Sequence, residues 1–154
     1  MIPGQATSVW FQADTPGVYR GQCAEFCGQQ HARMGFLVVA EPLDQFAGWL
    51  DRQRDSARTP ADSLARQGRE VFLASSCAMC HTVGGTPAGG RLGPNLTHLG
   101  GRRTIAAGTL PNVRGHLAGW IIDPQQIKPG VHMPASAIEP AELRAILAYL
   151  ESLR

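Results

Sequence analysis

All four cysteines of this 154-residue chain stand in two close pairs, Cys23 with Cys27 and Cys77 with Cys80. That spacing suits ligand or cofactor chemistry better than the scatter of a disulfide framework. Cys77-Ala78-Met79-Cys80-His81 has the C-x-x-C-H arrangement that attaches c-type haem. Two thiols separated by two residues on a helical turn can each add to one haem vinyl group, and the adjacent histidine can reach the iron. Zinc binding and thiol redox chemistry are the other uses of so short a pattern. An electron-carrying iron takes a sixth ligand, and a thioether opposite histidine raises its potential. Met133, in Lys128-Pro129-Gly130-Val131-His132-Met133-Pro134, is the candidate, because prolines bracket its loop. His132 is the rival, which would give bis-histidine ligation, and a merely packing methionine is the bland alternative.

The second run, Cys23-Ala24-Glu25-Phe26-Cys27-Gly28-Gln29-Gln30-His31-Ala32-Arg33-Met34, offers two thiols, an imidazole and a thioether at short intervals. Soft sulfur and nitrogen donors of this kind suit copper. A Cys23–Cys27 disulfide and a zinc half-site are the alternatives.

The elements that must position these runs differ between the two halves. Up to Ala40 the texture is strand and turn: Val9-Trp10-Phe11, a turn at Thr15-Pro16-Gly17, then Val18-Tyr19 and Phe36-Leu37-Val38-Val39. Pro42 opens an amphipathic helix with Leu43, Phe46, Trp49 and Leu50 on one face, which reads as a closing helix. Polar residues 55–59 suit a linker. Thr59-Pro60 then signals a helix start, with Leu64, Gly68, Val71 and Phe72 as its apolar face. Residues 113–122 form a further helix, and Pro140 starts a last one whose Leu143, Ile146, Leu147 and Leu150 share a face. Gly and Pro cluster at 82–94 and 124–134, marking loops. A net charge of +2 without a basic run leaves no nucleic-acid footprint. No apolar run approaches the roughly 20 residues of a membrane span. Met1-Ile2-Pro3-Gly4-Gln5 lacks the charged start and apolar stretch of an export signal.

From about Ala61 to Arg154 the chain resembles a class I cytochrome c domain. Gly68 and Phe72 match that family's first helix, where a small residue lets the last helix cross closely, here near Tyr149. Gly93-Pro94-Asn95-Leu96 resembles the loop whose proline carbonyl accepts a hydrogen bond from the proximal histidine. His98 and His116 match no ligand position and read as surface histidines. The Cys23–Met34 run, preceded by Ala13-Asp14-Thr15-Pro16-Gly17-Val18-Tyr19-Arg20-Gly21-Gln22, closely resembles the end of the copper-A domain of cytochrome c oxidase subunit II. That resemblance implies Cys23 and Cys27 as thiolate bridges between two copper ions and His31 as a terminal ligand. Met34 and the Glu25 carbonyl would be the weak axial ones.

The pairing of both resemblances implies a subunit II of the caa type: a truncated, cupredoxin-like β part over residues 1–57, followed by an all-α class I cytochrome c domain over 58–154. It further implies covalent haem c at Cys77, Cys80, His81 and Met133, and copper-A at the first run. Electrons would come from a small cytochrome c or similar donor and pass to the catalytic subunit I of a haem-copper oxidase, on the periplasmic face of the bacterial membrane. Such a chain is a relay, with no catalytic acid, base or nucleophile. The family's copper site needs a second histidine from an earlier strand, and none precedes His31. The expectation is therefore the C-terminal part of a longer subunit. A free-standing cytochrome with a vestigial copper segment, and a protein that stores or delivers copper, are the competing readings.

Overall fold

A computed structural model describes residues 4–154, so the first residues of the segment read for an export signal, Met1 to Pro3, lie outside the described residues. Strands β1 (Gly17–Gln22) and β2 (Gly35–Ala40) pair antiparallel, from Gly17 opposite Ala40 to Gln22 opposite Gly35. The expected strand at Val9-Trp10-Phe11 does not form, and Trp10 is 87% exposed. Strand propensity is expressed through packing on a neighbouring strand, and this segment has none among the described residues. Helix α1 (Leu43–Arg54) follows, with Pro42 as its N-cap residue. It buries none of its residues and leaves Leu43 81% exposed, so the expected closing face covers little.

The second unit is helical. Helix α2 (Ser63–Ala74) begins later than Thr59-Pro60 suggests, because the Asp62 carboxylate accepts the Ala65 amide at 2.9 Å and caps the helix there. Its buried face is Ala65, Gly68 and Phe72, whereas Leu64 is exposed. Helix α3 (Cys77–Cys80) is a single turn. A two-residue hairpin follows, β3 (Thr104–Ile105) against β4 (Leu110–Pro111), and then helix α4 (Arg114–Ile122). Helix α5 (Pro124–Ile127) occupies the start of an expected loop, with Pro124 at its first position and Asp123 accepting the Gln125 amide at 3.0 Å. Helix α6 (Pro140–Ser152) starts at Pro140, where the Glu142 carboxylate accepts the Glu139 amide at 3.4 Å.

Helices α2 and α6 cross at backbone contact. A Cβ on Gly68 would lie 1.9 Å from the Ala145 carbonyl oxygen, so only glycine permits the approach. Beside the crossing, Phe72 and Tyr149 meet edge to face with centroids 5.7 Å apart. Val83, Leu96, Leu99, Leu117, Ile121 and Leu150 complete the core around them. The segment between the units docks on this core as well: the Ala57 amide donates to Gly84 at 2.9 Å. Among the described residues no helix is long and apolar enough to cross a membrane.

Candidate redox centres

The C-x-x-C-H run sits where α2 hands over to the turn of α3. Ser75 Oγ donates to the Phe72 carbonyl at 3.0 Å and accepts from the Cys77 amide at 3.4 Å, which turns the chain out of α2. Cys77 and Cys80 are free thiols. His81 leaves the turn in extended conformation, its amide still bonded to the Cys77 carbonyl at 2.9 Å. Its Nδ1 lies 2.8 Å from the Pro94 carbonyl, as the cytochrome resemblance implied. A carbonyl can only accept, so Nδ1 carries the proton and Nε2 keeps its lone pair for a metal. The loop facing the run depends on glycine: a Cβ on Gly93 would stand 2.4 Å from His81 Cε1, and one on Gly90 2.4 Å from the Met79 carbonyl.

Met133 is half-buried, whereas His132 is exposed. The loop that carries Met133 is organised by a residue that sequence reasoning passed over. Gln125 Nε2 donates to the carbonyls of Val131 at 2.7 Å and Met133 at 2.9 Å, while its Oε1 accepts the Gly130 amide at 2.9 Å. A cleft of about 560 Å³ opens beside Cys77, lined by Val71, Ile121, Pro134, Ile138 and Ile146. Cofactor clefts run from about 300 to 1,000 Å³ and are mostly apolar. The cleft reaches Cys77 but is not lined by Cys80, His81 or Met133. Free thiols on one turn and an imidazole with one nitrogen already engaged fit covalently attached haem. His116 is on the surface, as expected, but His98 is not: its ring is half-buried and both nitrogens are enclosed without a partner among the described residues.

The other run closes into a compact donor set. Cys23 and Cys27 face each other with sulfurs 3.4 Å apart, and Cys23 Sγ is 3.2 Å from the Glu25 carbonyl. Cys27 Sγ also lies 3.9 Å from His31 Nδ1 and 3.8 Å from Met34 Sδ. The ligand atoms of Cys23, Cys27 and His31 fall within 4.8 Å of one another. All five donors expected from the sequence thus converge. Gly28, at φ +117°, and a helical turn over His31–Arg33 carry the chain back towards the thiols. The hydrogen bond that the Cys27 thiol shares with Cys23 first, and then desolvation and the negative charge of an ionised Cys23, hold the Cys27 thiol above its ordinary range. Two thiols this close resist ionising together, and a soft cation between them removes the obstacle. The set fits copper.

The copper-type donor loop packs on the segment that leads to Met133. The His31–Arg33 turn lies against residues 127–130, where Gln30 donates to the Pro129 carbonyl and Arg33 to that of Ile127. A Cβ on Gly130 would strike the Gln29 side chain. Lys128 completes this junction and was not singled out from sequence, although a signal existed: it is the chain's only lysine among fourteen basic residues.

A helical domain with a C-x-x-C-H turn, joined to a loop of soft donors on a β hairpin, has the architecture of a c-type cytochrome that carries a second group of metal-type donors. Residues 65–154 match the family described as Cytochrome c, and residues 1–41 match that described as Cytochrome C oxidase subunit II, periplasmic domain. The chain belongs to the cytochrome c family, and its first 41 residues are similar to the periplasmic domain of cytochrome c oxidase subunit II. Similar proteins include "Cytochrome c oxidase subunit 2" of Alkalihalophilus pseudofirmus, 42% identical over 154 residues, which cover 99% of this chain and 44% of that protein. The protein of the same name from Bacillus sp. (strain PS3) is 36% identical over 144 residues, covering 90% of this chain and 40% of its own. That of Bacillus subtilis is 33% identical over 142 residues, covering 89% and 40%. The chain spans less than half the length of these relatives.

Proposed function

We propose that this chain is the electron-relay part of a terminal oxidase, receiving single electrons at the Cys77–His81 end and passing them to the Cys23–Met34 end. From there they would go to the catalytic subunit I of a haem-copper oxidase. The donor would be a small cytochrome c or similar carrier, and the location the extracytoplasmic face of the membrane. The observation that carries the reading is the packing of the Cys23–Met34 loop on residues 127–130, which lead into the Met133 loop, since one-electron centres exchange usefully only when their supports are held together. Haem held by Cys77, Cys80, His81 and Met133 would supply a one-electron iron couple, and copper at Cys23, Glu25, Cys27, His31 and Met34 a second one. The residues' own part is to hold these donors still. Pro94 orients His81, Gln125 ties down the Met133 loop, and the Cys23–Cys27 pair needs little rearrangement to bridge metal. A binuclear copper centre also requires a second imidazole that residues 1–30 do not contain.

The test is copper stoichiometry combined with rapid reduction of the haem in the full-length subunit. Two tightly held copper equivalents and haem reoxidation in step with copper reduction are expected. One labile cuprous ion would favour copper delivery, and no copper with a normal haem would favour a free-standing cytochrome; either result would sink the relay.

A further inference from the structure

Thirteen of the fourteen basic residues are arginines, which sit mostly on the surface; the fourteenth, Lys128, is 5% exposed. Its ammonium donates to the Arg33 carbonyl at 2.7 Å and the Ala106 carbonyl at 3.1 Å. No carboxylate partners it among the described residues. The neighbouring guanidinium of Arg33 donates the other way, to the Ile127 carbonyl. Two cations therefore share a junction without an acid, and burial, with the Arg33 charge second, pulls the Lys128 pKa down. A buried charge is costly unless hydrogen bonds replace its water shell. A compact ammonium with three rotatable donors can turn them onto separate backbone carbonyls, which the rigid planar fork of an arginine cannot do in the same space.

The acceptors are also specially arranged. Ala106 and Ala107 both take φ +55°, and Gly108 takes φ +73°. Left-handed backbone is disfavoured at a residue with a side chain, so this turn is held by its surroundings. Its two successive carbonyls both accept at the junction: that of Ala106 from Lys128, and that of Ala107 from the Gly35 amide at 2.9 Å. Arg33 and Gly35 are the two neighbours of Met34. The backbone on both sides of that candidate ligand is thus tied to the cytochrome unit: Lys128 at 2.7 Å and the Thr109 hydroxyl at 3.4 Å donate to the Arg33 carbonyl, and the Gly35 amide donates to Ala107. In the other direction, Lys128 opens the loop that ends at Met133.

We propose that Lys128 is a positioning residue for electron transfer between the two centres, clamping the Met34 loop to the Met133 loop so that both ligand sets move as one body. The inference rests on the relay reading above. It assigns no ligand or acid–base role to Lys128. Its contribution is a fixed separation.

The experiment compares wild type, Lys128→Met and Arg33→Met in the full-length haem- and copper-loaded subunit. Methionine keeps an unbranched apolar stem of similar length and removes the donors. Hydrogen exchange of a peptide containing Gly35 is expected to accelerate about tenfold or more in Lys128→Met, the range for losing a charge-assisted hydrogen bond. Exchange within residues 38–40 should stay unchanged. Both reduction potentials should stay at wild-type values, while haem-to-copper transfer loses its single exponential and gains a slow phase. Arg33 is exposed, so Arg33→Met should fold in any case, and it should show the same changes at smaller size. Unchanged Gly35 exchange, or faster exchange with an unchanged transfer rate, would overturn the positioning role. If Lys128→Met did not fold, unaltered exchange and transfer in Arg33→Met would overturn it equally. A wild-type subunit that passed no electron between the centres would instead remove the relay reading, and the positioning role with it.

Discussion

Replacing Gly68 by alanine inserts one methyl group at the tightest point of the molecule. The new Cβ would sit 1.9 Å from the Ala145 carbonyl oxygen and 2.9 Å from the Ile146 nitrogen, both backbone atoms in the middle of α6. Neither can swing aside. To reach even 3.0 Å, the helices must part by about 1.1 Å, which loosens Phe72 against Tyr149 and uncovers Ile146. Overpacking of a filled core costs about 1 to 3 kcal/mol, and a rigid backbone neighbour puts this site at the upper end. Alanine returns up to about 1 kcal/mol through its better helix propensity. The net expectation is a loss of about 2 kcal/mol, or a fall in melting temperature of roughly 10 °C for a domain of this size. Gly115→Ala is the control: it lies in the first turn of α4, and its Cβ would meet nothing within 4 Å, so propensity alone acts and stability should hold or rise. Thermal unfolding of the haem-loaded protein, followed by helical circular dichroism, measures both. A Gly68→Ala protein that melted with wild type, or with Gly115→Ala, would refute the claim that backbone contact between α2 and α6 organises the domain.

Gln125→Leu leaves two carbonyls and an amide of the Met133 loop without their partner, costing that loop about 2 kcal/mol. In a denaturant series, the weak sulfur-to-iron absorption of the ferric protein should then disappear before the helical signal. Met133→Ala should abolish that absorption outright and lower the potential, whereas His132→Ala should leave it; the reverse result would reassign the ligand. Burial, partly opposed by the charge of Arg69, raises the Tyr149 pKa above 10.0, so the folded state keeps a proton that the unfolded chain releases. Stability is therefore complete below pH 10.0 and declines as pH rises through the folded pKa. Tyr149→Phe should remove this alkaline decline. It should also gain about 1 kcal/mol at neutral pH, because the Tyr149 hydroxyl is buried without a partner among the described residues. Melting curves at pH 7 and above pH 10.0 decide, and equal alkaline losses in the two proteins would count against the assignment.

The sequence by itself determined which donor side chains come together. Cys77, Cys80 and His81 are adjacent in the chain, as are Cys23, Cys27, His31 and Met34, so their convergence needs only a turn and follows from local spacing. The helix at 140–152 was legible for the same reason, since apolar periodicity and an N-terminal proline act within a few residues. Tertiary structure decided whatever depended on a partner distant in sequence. Val9-Trp10-Phe11 has strand-forming residues and no strand beside it. Leu64 has the right type for a core, but the crossing at Gly68 turns α2 so that Ala65 and Phe72 are buried instead. His98 looked like a surface residue until the fold enclosed it. The partners of Gln125 and Lys128 could not be read from the sequence, even though Lys128 stands out as the only lysine, because those partners are backbone groups and a carbonyl oxygen has no letter in the sequence. Which carbonyls are left to accept a hydrogen bond is settled only when the Arg33 turn, the left-handed Ala106–Gly108 turn and the Met133 loop have come together.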